Sequence, residues 1–236
     1  MNFVLREIIE SLGLTDTVLM TLAAIGLTAS IVVEQAQLLV KYNGIVRKKI
    51  AGGYNNAMKI MVLNRFGTVL YFLFVAMSID VGISGARMTG FFAASFIVIA
   101  LINLIIFLEL RRRLDLHFSL FRQLKVRSLP VFMALISTLF GCIGLTLPML
   151  LSAENPPMRL TMANTGFIFN SLFTIATVFF VESYLADLID DFRGDGRTGY
   201  FVASVFLMRF VALLACVGVI LVLGANSYLL RLSTWL

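Results

Sequence analysis

Four ionisable residues stand inside long apolar runs of this chain: Glu34, Arg65, Glu182 and Arg209. A charge at membrane depth costs roughly 2.5–3.5 kcal/mol on insertion scales, so such residues face a bundle interior, a partner or a water-filled cavity. Two readings of the four follow. Glu34 with Arg65, and Glu182 with Arg209, are ion pairs that hold helices together, a common membrane glue. Alternatively they line a cavity built for an anion, because guanidinium groups stay charged and offer planar, bidentate donors that suit phosphate. In that reading the two glutamates are counter-charges while the site is empty. Lys41 and Arg47 follow the first crossing at its mouth, and Asn64, Asn164 and Asn170 add polar side chains within the runs, where such residues commonly bridge helices.

The elements that position these residues are helical crossings. With 60% hydrophobic and 14% charged residues in 236, the chain reads as an all-α, polytopic membrane protein, a single transmembrane domain. Windows of about 20 apolar residues recur along it, and the alternation of an outer-membrane barrel is missing. Six crossings are expected, at about 18–40, 58–79, 88–108, 130–151, 161–184 and 200–224. Pro130 opens the fourth, and a glycine-containing turn, VGISGAR, joins the second to the third. Residues 1–16 read as a short interfacial amphipathic helix. No cleavable signal peptide is expected, since Glu7, Glu10 and Asp16 interrupt the start.

The net charge of +6 does not point to nucleic acid, because the cations gather in loops of alternate sign preference. Thirteen Lys and Arg residues follow crossings one, three and five, and four lie on the other side: Arg6, Arg87, Arg159 and Arg231. Both termini are therefore expected outside the cytoplasm, with Tyr228 and Trp235 as outer interfacial anchors. The basic stretch after the third crossing interleaves Leu114, Phe118 and Phe121 with its charges, as a segment lying on anionic lipid would. Cys142 and Cys216 fall in apolar segments and form no metal-binding spacing. No cofactor or metal is implied.

Crossings one and two echo five and six in the same direction: Val33-Glu34 aligns with Val181-Glu182, and Arg65-Phe66 with Arg209-Phe210. This is the pattern of a parallel hairpin repeat. Two other function classes compete with transport. Asp187, Asp190 and Asp191, at i, i+3 and i+4, would share a helical face able to hold Mg²⁺ for a membrane phosphotransferase, or would merely solvate a helix end. His117, the single histidine, lacks an evident partner for general-base work. An accessory scaffold that binds partners or anionic lipid through its basic loops is the third class.

The order Arg159-Leu160-Thr161, Asn170-Ser171, Thr174-Ile175, Val181-Glu182, Asp190-Asp191, Gly194 and Arg209 resembles the C-terminal half of the Amj lipid II flippases. The N-terminal half is similar too: Glu34, Lys41-Tyr42-Asn43-Gly44, Val46-Arg47, Asn56 and Asn64-Arg65. The chain departs from that family at Lys41, where the family has Arg, at Asn64 and Ser171, where it has Ser and Gly, and at Ser183, where it has Pro. The resemblance implies a transporter rather than an enzyme, in which Arg65 and Arg209 would meet a pyrophosphate, Lys41 and Arg47 would draw the headgroup toward the mouth, and Asn64, Asn164 and Asn170 would hydrogen-bond sugar hydroxyls. It implies a bacterial inner-membrane protein that moves an undecaprenyl-pyrophosphate-linked peptidoglycan precursor, lipid II, or another polyprenyl-linked saccharide, to the outer leaflet.

Overall fold

The computed structural model describes residues 15–114, 128–190 and 197–226. The expected terminal helix at 1–14, His117, Phe118, Phe121, Asp191, Gly194, Tyr228, Arg231 and Trp235 lie outside the described residues.

Thr15 caps the first helix, its side-chain oxygen accepting the Val18 N–H at 3.4 Å, and Asp16 in the first turn complements the helix dipole. That helix, α1, runs Asp16–Val46. A turn of three residues leads to α2, Ile50–Val81. The segment expected as a basic loop is therefore almost wholly helical. An apolar window marks where a helix crosses lipid and says nothing of where its backbone ladder ends. At about 1.5 Å per residue both helices are close to 47 Å long, against a hydrocarbon core of about 30 Å.

Gly82 ends α2 in the left-handed region, φ 95°, with its N–H on the Ile79 and Ser78 carbonyls. The third helix, α3, spans Gly85–Arg113, and α4 spans Ser128–Glu154, with Pro130 in its first turn and Pro148 inside it. The fifth crossing is broken. A 3₁₀ turn at Pro156–Met158 leads to α5 (Arg159–Asn164), α6 (Gly166–Ala176), a π turn at Thr177–Glu182, and α7 (Ser183–Asp190). The last helix, α8, spans Arg197–Ala225. All six crossings are long and apolar enough to span a membrane, so the chain is an all-α multi-pass membrane protein.

The helices alternate in direction. Arg47, Lys48, Lys49, Arg111, Arg112, Arg113 and Arg197 collect at one end, called here the basic end. The opposite end is clasped by Arg87 on Asp16 (2.9 Å), Arg159 on Asp80 (3.4 Å), and the Glu154 carboxylate accepting the Gly85 N–H (2.8 Å).

α1 and α2 form a tight hairpin because small residues meet along their seam. A Cβ on Gly26 would sit 2.7 Å from the Tyr71 nitrogen, and one on Gly44 2.6 Å from the Gly53 Cα. Ser30 donates to the Asn64 Oδ1 (2.7 Å) and lies 2.8 Å from the Thr68 hydroxyl. α8 packs along α3 and α4, and the fifth crossing packs along α4. The fifth and sixth crossings thus do not form a seam like that of the first two, and the aligned residues of the sequence echo occupy different surroundings.

Candidate functional site

The apolar core divides into two clusters stacked along the bundle axis. One holds Leu27, Ile31, Tyr71, Phe92, Phe96, Ile99, Cys142, Leu213 and Cys216; the other, toward the basic end, holds Leu38, Phe107, Val131, Ala134, Val181, Leu185, Phe201 and Phe206. Five of the six crossings, α2 being the exception, carry polar residues between the levels of the two clusters. On α1 these are Glu34 and Gln35, on α3 Asn103, on α4 Ser137 and Thr138, in the π turn Thr177, and on α8 Arg209. A polar layer therefore crosses the middle of an otherwise apolar bundle.

This layer is incompletely satisfied. Asn103 donates to the Gln35 Oε1 (2.8 Å) and to the Ile99 carbonyl (2.7 Å), which leaves its buried Oδ1 without a partner. The buried Thr177 Oγ1 and Arg209 Nη1 are also unpartnered. Arg209 is only 8% exposed, and its guanidinium lies 5.8 Å from the Phe206 ring centroid. An unpaired polar group at such burial costs on the order of 1–3 kcal/mol, more when charged, so a guanidinium held this way is poised for an acceptor.

The expected ion pairs do not form. Glu182 is engaged by Lys41, whose Nζ lies 2.6 and 2.7 Å from its two carboxylate oxygens, and not by Arg209. Among the described residues, neither Glu34 nor Arg209 closes an ion pair within 4.0 Å. The physical reason is helix placement: α8 sits deep against α3 and α4, and the fifth crossing stands off at the edge of α4.

The fifth crossing and the α1–α2 hairpin do not pack closely on each other, and the interval between them is called the cleft here. The fifth crossing is tied to the α1–α2 hairpin at both ends, by Lys41–Glu182 at the basic end and by Arg159 on Asp80 and the Ile79 carbonyl at the other. Between the ties it packs on α4 and makes no comparable contact with α1 or α2. Arg65 is exposed. It lies eleven residues, three turns, from Tyr54, which places both on one face of α2. Tyr54 holds the Lys41 Nζ 5.2 Å from its ring centroid, so that face borders the cleft. On the fifth crossing, Asn170, Thr174 and Thr177 fall at i, i+4 and i+7, a single stripe.

Not every candidate joins this arrangement. Asn64 is committed to the α1–α2 seam through Ser30, and Arg47 is exposed at the hairpin turn. Asn164 and Asn170 are exposed, and so are Asp187 and Asp190; the third member of the acidic triad, Asp191, lies outside the described residues. Among the described residues no group of three His, Cys, Asp or Glu side chains could hold a metal ion. Gln35, Asn103, Tyr54 and Thr177 were not among the sequence candidates. Gln35 sits beside Glu34, and Asn103 and Thr177 lie inside crossings, so a search for every polar residue at mid-depth would have found these three; Tyr54, in the stretch expected as a loop, gave no such signal. Compared with known proteins, the chain matches no protein-family model, no curated protein and no solved structure.

Proposed function

We propose that the protein moves a polyprenyl-pyrophosphate-linked saccharide, the peptidoglycan precursor lipid II, from the inner to the outer leaflet of a bacterial cytoplasmic membrane. The basic end faces the cytoplasm and both termini lie outside, following the bias of Lys and Arg. The observation that carries this reading is the buried Arg209 with its unpartnered Nη1, set in a polar layer between two apolar clusters of the bundle. The order of residues that resembles the Amj flippases supports it independently.

The chemistry suits an amphiphile. A pyrophosphate needs fixed positive charge in a low-dielectric site, which Arg209 supplies at depth and Arg65 at the cleft wall. Glu34 balances Arg209 while no anion is bound. The same elements carry exposed apolar residues, Phe66, Val69 and Phe72 on α2 and Phe167, Leu172 and Phe179 on the fifth crossing. A polyprenyl tail can remain among these and in lipid while its headgroup crosses the layer.

The test is complementation in a bacterium depleted of its other lipid II flippases, together with a leaflet-accessibility measurement of labelled lipid II. Wild type is expected to pass both. Arg209→Ala abolishes transport, and Arg209→Lys keeps part of it, because lysine retains the charge and loses the planar fork. A well-expressed wild type that fails both assays overturns the cargo, and an active Arg209→Ala overturns the mechanism.

A further inference from the structure

Lys41 lies seven residues beyond Glu34 on α1, two turns along nearly the same face, so its ammonium stands about 10 Å nearer the basic end than the polar layer. It is 13% exposed, rests on the Tyr54 ring, and gives two of its three hydrogens to Glu182. The carboxylate comes from the last residue of the π turn, a local widening of the helix that re-aims side chains and recurs at functional sites. At 32% exposure Glu182 is the more solvated partner. This ion pair is the tie across the basic mouth of the cleft, where the backbones of α1 and the fifth crossing make few other close approaches.

A cation that waits half-buried on an aromatic ring at the mouth of an anion path, with a side-chain carboxylate across both faces of its charge, is a site already filled by a stand-in. We propose that Lys41, seated on Tyr54, is a binding position for the phosphate of a lipid headgroup, and that Glu182 is its internal ligand, displaced when the phosphate arrives. A diphosphate carries more charge and more acceptor oxygens than one carboxylate, so it outcompetes Glu182 for the ammonium. Displacement unties the mouth, frees Glu182 toward water, and leaves Arg209 as the next cation along the path. The identity of the lipid rests on the function proposed above, whereas the exchange at Lys41 does not.

The experiment uses the full chain in nanodiscs of neutral lipid, with Cys142→Ala and Cys216→Ala and spin labels on Asn43→Cys and Asp187→Cys, both exposed positions either side of the tie. Undecaprenyl pyrophosphate is the probe and inorganic pyrophosphate the soluble control. Addition of the lipid is expected to lengthen the label distance, and inorganic pyrophosphate at the same concentration to leave it unchanged. Glu182→Gln should show the long distance without lipid and bind undecaprenyl pyrophosphate about tenfold more tightly, and Lys41→Gln should lose that gain in the double variant. An unchanged distance and affinity in a folded Glu182→Gln protein overturn the proposal, and so does wild-type lipid affinity in Lys41→Gln. An equal response to inorganic pyrophosphate overturns the assignment to a lipid. Lipid-driven lengthening in a protein that fails the lipid II transport assay refutes that cargo and leaves the Lys41 position standing; transport that survives Lys41→Gln with an unmoved label distance does the reverse.

Discussion

Arg209 and Glu34 share the polar layer without touching. No ion pair within 4.0 Å joins them among the described residues. A separated pair of this kind keeps the guanidinium free to accept an anion and still compensates its charge. Removing one member leaves the other uncompensated in a low-dielectric interior, which is more costly than removing both. Glu34→Gln should therefore lower the thermal midpoint of the purified protein, as should Arg209→Leu. The double variant should lose less than the sum of the two, a coupling on the order of 1 kcal/mol or more when read as a double-mutant cycle. Strict additivity in thermal melts would separate the two residues and remove Glu34 from the site. Lys41 and Glu182 differ in kind, since their contact is direct and near the mouth, with side chains 13% and 32% exposed.

At the scale of elements, the α1–α2 hairpin is rigid and the fifth crossing is articulated. The hairpin's closeness depends on Gly26 and Gly67: a Cβ on Gly67 would sit 2.9 Å from the Ser30 nitrogen, inside a seam where the opposing atoms are backbone and cannot yield. Gly26→Ala and Gly67→Ala should each cost about 1–3 kcal/mol by overpacking, visible as a drop in the denaturation midpoint in detergent. Gly90→Ala is the control, since nothing lies within 4 Å of a Cβ there, and it should leave the midpoint unchanged or raise it. The fifth crossing is interrupted by a 3₁₀ turn, a change of helix at Thr165, and the π turn. The last of these breaks ends at Glu182, which meets Lys41. A crossing built from short pieces on one neighbour can shift against the hairpin without breaking a long packed seam.

For the whole molecule, the two ends have different chemistry. The basic end carries clustered cations, while the other end is clasped by Asp16–Arg87, Asp80–Arg159 and the Glu154 contact to the Gly85 N–H. The proposed orientation places the basic end in the cytoplasm. Ser84→Cys, exposed in the turn between α2 and α3, should react with an impermeant thiol reagent added to intact spheroplasts when Cys142 and Cys216 are replaced by Ala. Lys48→Cys, exposed in the turn between α1 and α2, should react only after permeabilisation. The reverse pattern would invert the orientation and move the cation-lined mouth to the outer face. Ser152, which reads as a loop residue from its place at the end of an apolar run, is a poor labelling position because it is 3% exposed and donates to the Pro148 carbonyl.

The apolar windows alone determined six crossings and the all-α class, because lipid leaves a backbone no partner except its own helix. Local chemistry likewise placed the turn at Gly82 and the start of α4 around Pro130, and the cost of a charge in lipid singled out Glu34, Arg65, Glu182 and Arg209. What each charge meets was decided only by the tertiary structure. Sequence spacing fixes a residue's height and face on its own helix, but not which helix stands opposite. Glu182 and Arg209 lie on successive crossings and look like partners, yet α8 is buried against α3 and α4 while the fifth crossing leans outward, so Lys41 takes the carboxylate. The polar layer, the unpartnered Nη1 of Arg209 and the cleft all follow from that arrangement of helices, a consequence of packing between segments far apart in the chain.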